Sequence, residues 1–148
     1  MTGDFQTAAA AIILCAGKGT RMGSANINKV AFDCAGVPVV RRIVENMRQG
    51  GVTRFVIVVG HRAESVMSAL GGVPGVLYAY QAEQRGTGHA AGCGLAVLED
   101  IGFEGRVLIS MGDKIVSPRI VRELLGSMAS SGTGEACIGV QPNPGRTS

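Results

Sequence analysis

The sequence contains no tryptophan, and only 4% of its residues are aromatic. Proteins that bind single-stranded nucleic acid stack its bases on aromatic rings, so this chain lacks the usual platforms for such a partner. Its net charge is only +3, and the basic residues are scattered along the chain, whereas a nucleic-acid surface gathers them on one face. The composition excludes nucleic acid as the expected partner and suits an anionic small molecule better.

Long apolar runs are missing as well. No stretch approaches the ~18 apolar residues of a membrane span. No Lys or Arg precedes Asp4, so the basic start of a secretion signal is absent. We therefore expect a cytoplasmic protein that does not enter a membrane.

Cysteine is scarce, and the four cysteines lie far apart at Cys15, Cys34, Cys93 and Cys137. There is no Cys-x-x-Cys pair and no His at a zinc-binding distance along the chain. This spacing indicates neither a zinc knuckle nor a redox motif. Reduced thiols are expected.

Apolar residues and glycine are plentiful. At 148 residues and 46% apolar composition, the chain can bury a full core as one domain or part of one. Its 23 glycines are roughly twice the ~7% average usage. That excess favours several sharp loops lined by backbone over a helical bundle.

Apolar runs alternate with helical patterns along the chain. The predicted strands are 8–15, 55–59, 76–80, 106–110 and 136–140. The predicted helices are 39–48, 63–70, 88–98 and 118–128, the last with Ser117 as its N-cap and Pro118 in its first turn. This alternation predicts an α/β fold: a Rossmann-like, mainly parallel sheet between helices in three layers.

A glycine-rich basic turn, residues 14–22 (Leu-Cys-Ala-Gly-Lys-Gly-Thr-Arg-Met), follows the first predicted strand. Gly17 and Gly19 let the backbone approach an anion, and Lys18 and Arg21 add positive charge. The pattern fits neither the Walker phosphate loop nor the dinucleotide fingerprint. The turn indicates a phosphate site, although a plain strand-to-helix connection would need the same glycines.

These residues resemble the signature Leu-x-Ala-Gly-x-Gly-Thr-Arg-Met of the sugar-nucleotide pyrophosphorylases, a nucleotidyltransferase family. Residues 81–90 (Gln-Ala-Glu-Gln-Arg-Gly-Thr-Gly-His-Ala) are similar to the family's base-binding loop, and Met111-Gly112-Asp113 to the Gly-Asp after its catalytic strand. Within this family, the three motifs most resemble those of the uridylyltransferases that act on N-acetylglucosamine 1-phosphate. The resemblance covers about residues 9–125.

The resemblance implies attack by a sugar 1-phosphate on the α-phosphorus of a nucleoside triphosphate, UTP being favoured, with release of pyrophosphate. Arg21 would contact the triphosphate, and Lys29 the α-phosphate or the sugar phosphate. At Lys29 the family usually has Pro-Lys, whereas this chain has Asn28-Lys29 after a loop one residue longer. Both substrates are anions, so catalysis means neutralising charge and aligning the reactants in line.

The resemblance also implies the nucleotide-binding residues, which come from both loops. They are Leu14, Ala16, Gly17, Lys18, Gly19, Thr20, Gln81, Gln84, Gly86 and Thr87. Gln81 offers an acceptor and donors to a pyrimidine edge, and the Gly86-Thr87 backbone completes the pairing. Uracil is favoured, but cytosine stays open because a glutamine amide can be flipped.

Asp113 is the expected Mg²⁺ ligand, because Mg²⁺ takes one or two carboxylates together with phosphate oxygens and waters. The family draws a second metal ligand from a later segment, and Lys114 beside Asp113 could compete with the metal. His89 is expected to pack at the start of a helix rather than to act in catalysis. His61 is expected in a loop.

For the domain organisation we expect residues 1–148 to form the nucleotide-binding portion of a nucleotidyltransferase domain, without its sugar-phosphate part. The chain alone would then be incomplete for turnover. Two alternatives remain: a cytidylyltransferase acting on a polyol phosphate or a molybdopterin, and a regulatory module that binds nucleotide without turnover. The sequence does not indicate the oligomeric state.

Overall fold

The central sheet consists of four parallel strands in a computed structural model that describes residues 8–17 and 27–130, with side chains as far as residue 128. Its order is β5-β4-β1-β6. The strands in this sheet are β1 (Ala9–Leu14), β4 (Arg54–Val59), β5 (Val76–Tyr80) and β6 (Arg106–Met111). A separate antiparallel hairpin joins β2 (Asp33–Cys34) to β3 (Val37–Pro38).

Strand β1 is buried along its whole length because both faces of the sheet are covered. Ala11 and Ile13 pack in one apolar cluster with residues of three helices, α1 (Val39–Gln49), α2 (Ala63–Ala69) and α4 (Pro118–Ser130). Ile12 and Leu14 point to the other face and pack with α3 (Thr87–Asp100). The continuous apolar sequence of β1 follows from this double coverage.

The helices form where apolar residues recur at helical spacing. In α1, Val40, Ile43, Val44 and Met47 are all buried against the sheet. At the start of α4, the Ser117 hydroxyl accepts a hydrogen bond from the backbone N–H of Ile120 at 3.4 Å. This contact confirms the predicted N-cap, which satisfies one of the otherwise unpaired N–H groups of the first turn.

The predicted α/β class, with a parallel sheet between two helical layers, is confirmed. Four of the five predicted strands and all four predicted helices are present, although α3 begins at Thr87 rather than at residue 88. The fifth predicted strand, 136–140, lies outside the described residues. No helix within 8–17 and 27–130 is both long enough and apolar enough to cross a membrane.

The β2–β3 hairpin was not predicted. Its turn places Ala35 at φ 53° and Gly36 at φ 78°. Two successive residues with positive φ characterise the tight hairpin turn, for which Asn-Gly or Asp-Gly is the usual sequence signal. Ala-Gly lacks that signal, and two-residue strands are too short to show alternation.

The strand order fixes where a ligand can bind. From β1, the chain adds β4 and β5 on one side and β6 on the other. In open α/β sheets, ligands bind beyond the carboxyl ends of the strands at the point where the order reverses. Here that point lies between β1 and β6, and the predicted site residues follow the ends of β1, β5 and β6.

Candidate functional site

A cleft of about 340 Å³ lies at the carboxyl ends of β1, β5 and β6. This volume is within the range of small-molecule sites in proteins. The lining residues come from the ends of these strands, the loop after β5, the segment around residue 29 and the first residues of α3. They are Leu14, Cys15, Ala16, Gly17, Asn28, Lys29, Val30, Gln81, Gln84, Gly86, Thr87, Ala90, Met111, Gly112 and Asp113.

The floor of the cleft is formed by close contact between the ends of β1 and β6. The backbone N–H of Gly112 donates to the carbonyl oxygen of Leu14 at 2.9 Å. A Cβ atom at position 112 would lie 2.7 Å from both Cys15 Sγ and that carbonyl oxygen. Only glycine fits at this point, and Asp113 is thereby placed directly after a fixed backbone position.

Asn28 anchors the segment that carries Lys29. Its side chain is buried, and Nδ2 donates to the carbonyl oxygens of Cys15 at 2.9 Å and of His61 at 3.1 Å. Its Oδ1 accepts from the backbone N–H of Val30 at 3.2 Å and caps a short 3₁₀ helix, Lys29–Ala31. The longer loop before Asn28 therefore does not move Lys29 away from the cleft.

Lys29 and Asp113 form an ion pair at the mouth of the cleft. Lys29 Nζ lies 3.1 Å from Asp113 Oδ2, and the two side chains are 34% and 40% exposed. Ion pairs this exposed stabilise a fold by about 0–1 kcal/mol. Anions or cations that enter the cleft can therefore replace either partner at low cost.

The loop after β5 places Gln81 in contact with the start of α3. Gln81 is buried, its backbone N–H extends the sheet by donating to Val59 at 2.8 Å, and its Nε2 donates to the carbonyl oxygen of Gly86 at 3.4 Å. The same Nε2 lies 2.9 Å from Nδ1 of His89. His89 lies in the first turn of α3, as expected, but it is exposed and not packed, and its ring contacts Gln81.

A second glutamine of this loop reaches across to the end of β1. Gln84 Nε2 donates to the carbonyl oxygen of Ala16. The loop after β5 is therefore tied to the first residues of the glycine-rich turn. Because Gln81 and Gln84 come from one loop, this contact joins the segments predicted to bind the base and the phosphates.

Cys15 lines the cleft as a neutral thiol. Burial raises the pKa of Cys15 to about 12, the carboxylate of Asp113 adds to the rise, and Lys29 opposes it. A thiol with such a pKa remains protonated at neutral pH, and the thiolate is the form that attacks electrophiles. Cys15 therefore acts in the wall of the cleft and not as a nucleophile.

The structure brings most of the predicted site residues into this one cleft. Those within it are Leu14, Ala16, Gly17, Lys29, Gln81, Gln84, Gly86, Thr87 and Asp113. The remaining four, Lys18, Gly19, Thr20 and Arg21, lie outside the described residues.

Other outcomes concern the neighbours of the cleft. Lys114 was expected to compete with a metal at Asp113, but it does not line the cleft. The cation that pairs with Asp113 is Lys29. His61 lies in an exposed turn, as expected. Sequence reasoning missed Asn28 as the anchor of Lys29, and its only sequence signal was the departure from Pro at this position.

Carboxylate groups for a metal are few. No group of three or more His, Cys, Asp or Glu side chains within 8–17 and 27–130 could hold a metal ion. Asp113 is the one acidic residue that lines the cleft in this part of the chain. A Mg²⁺ ion here would need most of its oxygen ligands from phosphate groups and water, which is a common arrangement for this ion.

Comparison with known proteins yields a family and several relatives. A family model described as the MobA-like NTP transferase domain matches residues 11–146. The bifunctional protein GlmU of Geobacter metallireducens is 45% identical over 124 residues, which cover 83% of this chain and 25% of the relative. The chain spans about a quarter of the length of the curated relatives it matches.

Two solved structures share the fold over most of the chain. A nucleotidyl transferase from Methanothermobacter superposes with a TM-score of 0.68 at 25% identity, over 80% of this chain and 57% of that one. A Bacillus anthracis protein assigned as a glucose-1-phosphate thymidylyltransferase, solved with sucrose, gives a TM-score of 0.70 at 26% identity. That match covers 82% of this chain and 50% of the other.

Proposed function

Because the chain belongs to the family of MobA-like NTP transferase domains, we propose that it binds a Mg²⁺-complexed nucleoside triphosphate, with UTP preferred. In this proposal, residues 1–148 are the nucleotide-binding portion of an enzyme that transfers a nucleotidyl group to a sugar 1-phosphate. The sugar phosphate would be bound chiefly by residues outside this portion. The products would be a nucleotide sugar and pyrophosphate.

The observation that carries this proposal is the pairing of two kinds of chemistry in one cleft. At one end, Gln81 and the backbone at Gly86 offer hydrogen-bonding groups for the edge of a base. At the other end, Lys29 and Asp113 offer a cation for phosphate and a carboxylate for a metal. A nucleotide carries these same features in one molecule, a polar base and a metal-binding phosphate chain.

The proposed reaction needs no covalent intermediate. An oxygen of the sugar phosphate attacks the α-phosphorus, the bond between that phosphorus and the oxygen bridging to the β-phosphate breaks, and pyrophosphate leaves. Lys29 would neutralise charge on the α-phosphate or the incoming phosphate, and Arg21 would hold the pyrophosphate as its charge increases. Holding both anions in line supplies most of the rate in such a reaction.

Asp113 fits the role of the one protein ligand for Mg²⁺ that this portion would supply. Its carboxylate is 40% exposed at the mouth of the cleft, and its one ion-pair partner among the described residues is Lys29, which a phosphate group can draw away. Magnesium that is bound there would neutralise phosphate charge. Since no second carboxylate lines the cleft in the described residues, we expect the metal to bind tightly only together with the triphosphate.

The preference for UTP rests on the motifs and on one relative. Residues 81–90 are similar to the base-binding loop of uridylyltransferases. The thymidylyltransferase-like relative is named for a nucleotide whose base, like uracil, carries an N–H between two carbonyl groups. A cytidylyltransferase of the polyol phosphate or molybdopterin type would instead prefer CTP.

The second candidate is a regulatory module that binds nucleotide without turnover. It is favoured by the scarcity of carboxylates, since Asp113 is the one acidic residue that lines the cleft within the described part of the chain. The two candidates differ in a single readout. In a protein that also carries the sugar-phosphate portion, release of pyrophosphate from UTP in the presence of N-acetylglucosamine 1-phosphate supports the transferase, whereas tight UTP binding without release supports the module.

The proposal is tested by calorimetric titration with UTP, CTP, GTP, dTTP and ATP, each with Mg²⁺ and again with EDTA. We expect UTP to bind most tightly, and Mg²⁺ to strengthen its binding by at least about tenfold, or about 1.4 kcal/mol. Asp113→Asn should remove this gain because the amide carries no charge for the metal. Asp33→Asn, which changes an exposed carboxylate outside the cleft, should leave it intact.

Two results would count against the proposal in different ways. If no triphosphate binds, the nucleotide site itself is wrong. If Asp113→Asn binds UTP with an undiminished gain from Mg²⁺, the nucleotide site stands and Asp113 is not the metal ligand.

A further inference from the structure

The side-chain amide of Gln81 is held in one orientation by two neighbours. Its Nε2 lies 3.4 Å from the carbonyl oxygen of Gly86 and 2.9 Å from Nδ1 of His89. A carbonyl oxygen can only accept a hydrogen bond, so the amide nitrogen must face Gly86. The reverse orientation would set two oxygen atoms against each other.

This orientation gives the facing nitrogen of the His89 ring the role of acceptor. The two N–H groups of an amide nitrogen are both donors, and the amide nitrogen lies 2.9 Å from Nδ1. Nδ1 accepts in the tautomer that carries the ring hydrogen on Nε2. Together, His89 and Gly86 occupy both donors of Gln81.

The remaining atom of the amide is left for a ligand. Gln81 Oε1 accepts no hydrogen bond from residues 8–17 or 27–130, and Gln81 lines the cleft. Thr87 also lines the cleft, and its backbone N–H has no partner inside α3, because the first N–H groups of a helix lack one. The cleft is therefore lined by residues that supply both an acceptor and a donor.

We propose that His89 is a positioning residue that holds the Gln81 amide with its oxygen toward the nucleotide, so that the cleft selects bases with a ring N–H beside a carbonyl group. Uracil and thymine have this pattern. Cytosine, held in the same place, would set its unprotonated ring nitrogen against Oε1, and the amide cannot flip to suit it while Gly86 and His89 hold Nε2.

The inference rests on the proposed function, because it assigns the base preference of that same nucleotide site. His89 does not line the cleft, so its effect on the ligand passes through Gln81. A merely structural role for His89 would change the binding of all nucleotides alike. The positioning role changes the ratio of UTP to CTP affinity.

Two variants distinguish the effect of the hydrogen-bond acceptor of His89 from the effect of its ring shape. His89→Phe keeps the ring shape and removes the acceptor, whereas His89→Asn can present Oδ1 in the place of Nδ1. We expect His89→Phe to lower the ratio of UTP to CTP affinity, measured by calorimetry with Mg²⁺, by at least about fivefold. His89→Asn should keep most of the wild-type ratio, and dTTP should follow UTP in all variants.

The other histidine supplies the matched control. His61 is exposed in a loop, and its contact with Asn28 uses only its backbone oxygen. His61→Phe should therefore keep the wild-type ratio. Thermal unfolding of all variants without nucleotide verifies that each is folded.

A second measurement examines the geometry without any nucleotide. ¹⁵N spectra of the two imidazole rings in the free protein should show His89 with its hydrogen on Nε2 near neutral pH. A hydrogen on Nδ1 would overturn the inference alone. So would a UTP preference that persists unchanged in His89→Phe, whereas failure of the wild-type chain to bind any triphosphate would overturn the proposed function and the base selection with it.

Discussion

The polar side chains of the cleft are fixed by hydrogen bonds to different degrees in the free protein. Asn28 is buried and uses both its amide nitrogen and its oxygen in hydrogen bonds with the backbone. The side chain of Lys29, the next residue, is a third exposed, and within residues 8–17 and 27–130 it is bound to Asp113 alone. Asn28 thus fixes the backbone at Lys29, while the side chain of Lys29 can exchange Asp113 for another anion. This arrangement suits a binding site that is ordered before its ligand binds.

Cys15 makes the stability of the chain sensitive to alkaline pH. Burial raises its pKa from an ordinary 9.0 to about 12, so the folded chain keeps the thiol proton at pH values where the unfolded chain loses it. The stabilising contribution is therefore complete below pH 9 and is lost progressively as pH rises toward 12. By pH 10.5 the loss amounts to about 2 kcal/mol.

We expect Cys15→Ala to lose less free energy of unfolding than the wild type when urea denaturation at pH 7.5 is compared with pH 10.5. Cys34→Ala is the matched control, because Cys34 is exposed and its removal should leave the wild-type difference unchanged. An equal alkaline loss in wild type and Cys15→Ala would show that other groups cause it.

At the residue scale, resemblance predicted Lys29 and Asp113, which line the cleft, but not Asn28, which anchors Lys29. Lys29 and Asp113 were expected in the site and form its ion pair. Asn28 was not, because its partners Cys15, His61 and Ser65 lie 13, 33 and 37 positions away in the chain. Local sequence contains no sign of contacts that only the tertiary fold creates.

At the scale of elements, the strands of the central sheet were the easiest to predict. β1 and β4 were found within one residue of their ends, because burial on both faces leaves few polar residues in their sequences. β5 and β6 are only partly buried, and their ends were found equally well. The β2–β3 hairpin was not predicted because its residues are exposed or half-buried and its turn has no Asn-Gly or Asp-Gly.

Helix α3 lies unusually close to the sheet at Gly94. A Cβ atom there would stand 2.5 Å from Cγ2 of Ile12 and 3.2 Å from Val58. These side chains are fully buried and have no room to move. Gly94 is therefore required for this approach, whereas Gly92 in the same helix has nothing within 4 Å of its Cβ position.

Alanine at these two glycines should have opposite effects. Gly92→Ala should raise the free energy of unfolding by about 0.5–1 kcal/mol, because glycine is a poor helix former. Gly94→Ala should lower it by about 1–2 kcal/mol, since overpacking of about 1–3 kcal/mol outweighs the same gain. Urea denaturation of both variants measures the difference, and equal stabilisation would contradict the close packing of α3 on β1.

At the scale of the whole molecule, the cleft joins segments that are distant in sequence. Its lining runs from Leu14 at the end of β1 to Asp113 after β6, and it includes the loop between β5 and α3. The order of the motifs along the chain predicted this convergence, because parallel strands bring their carboxyl ends to one edge. What the sequence could not predict is how Gln81 is oriented, since Gly86 and His89 meet it only in the folded loop.

The cleft is lined by residues that follow β1, β5 and β6, three of the four strands of the sheet. Nucleotide binding should therefore stabilise the whole described fold against unfolding. With Mg²⁺ and UTP at 100 times the dissociation constant, we expect the free energy of unfolding to rise by about 2.7 kcal/mol. N-acetylglucosamine 1-phosphate alone should give no rise, because the proposal assigns its contacts to residues outside this portion. Urea denaturation followed by circular dichroism measures both, with Asp113→Asn as the control that should lose the contribution of Mg²⁺. An equal rise with the sugar phosphate alone would mean that residues 1–148 already hold the sugar site, and the division into two portions would be wrong.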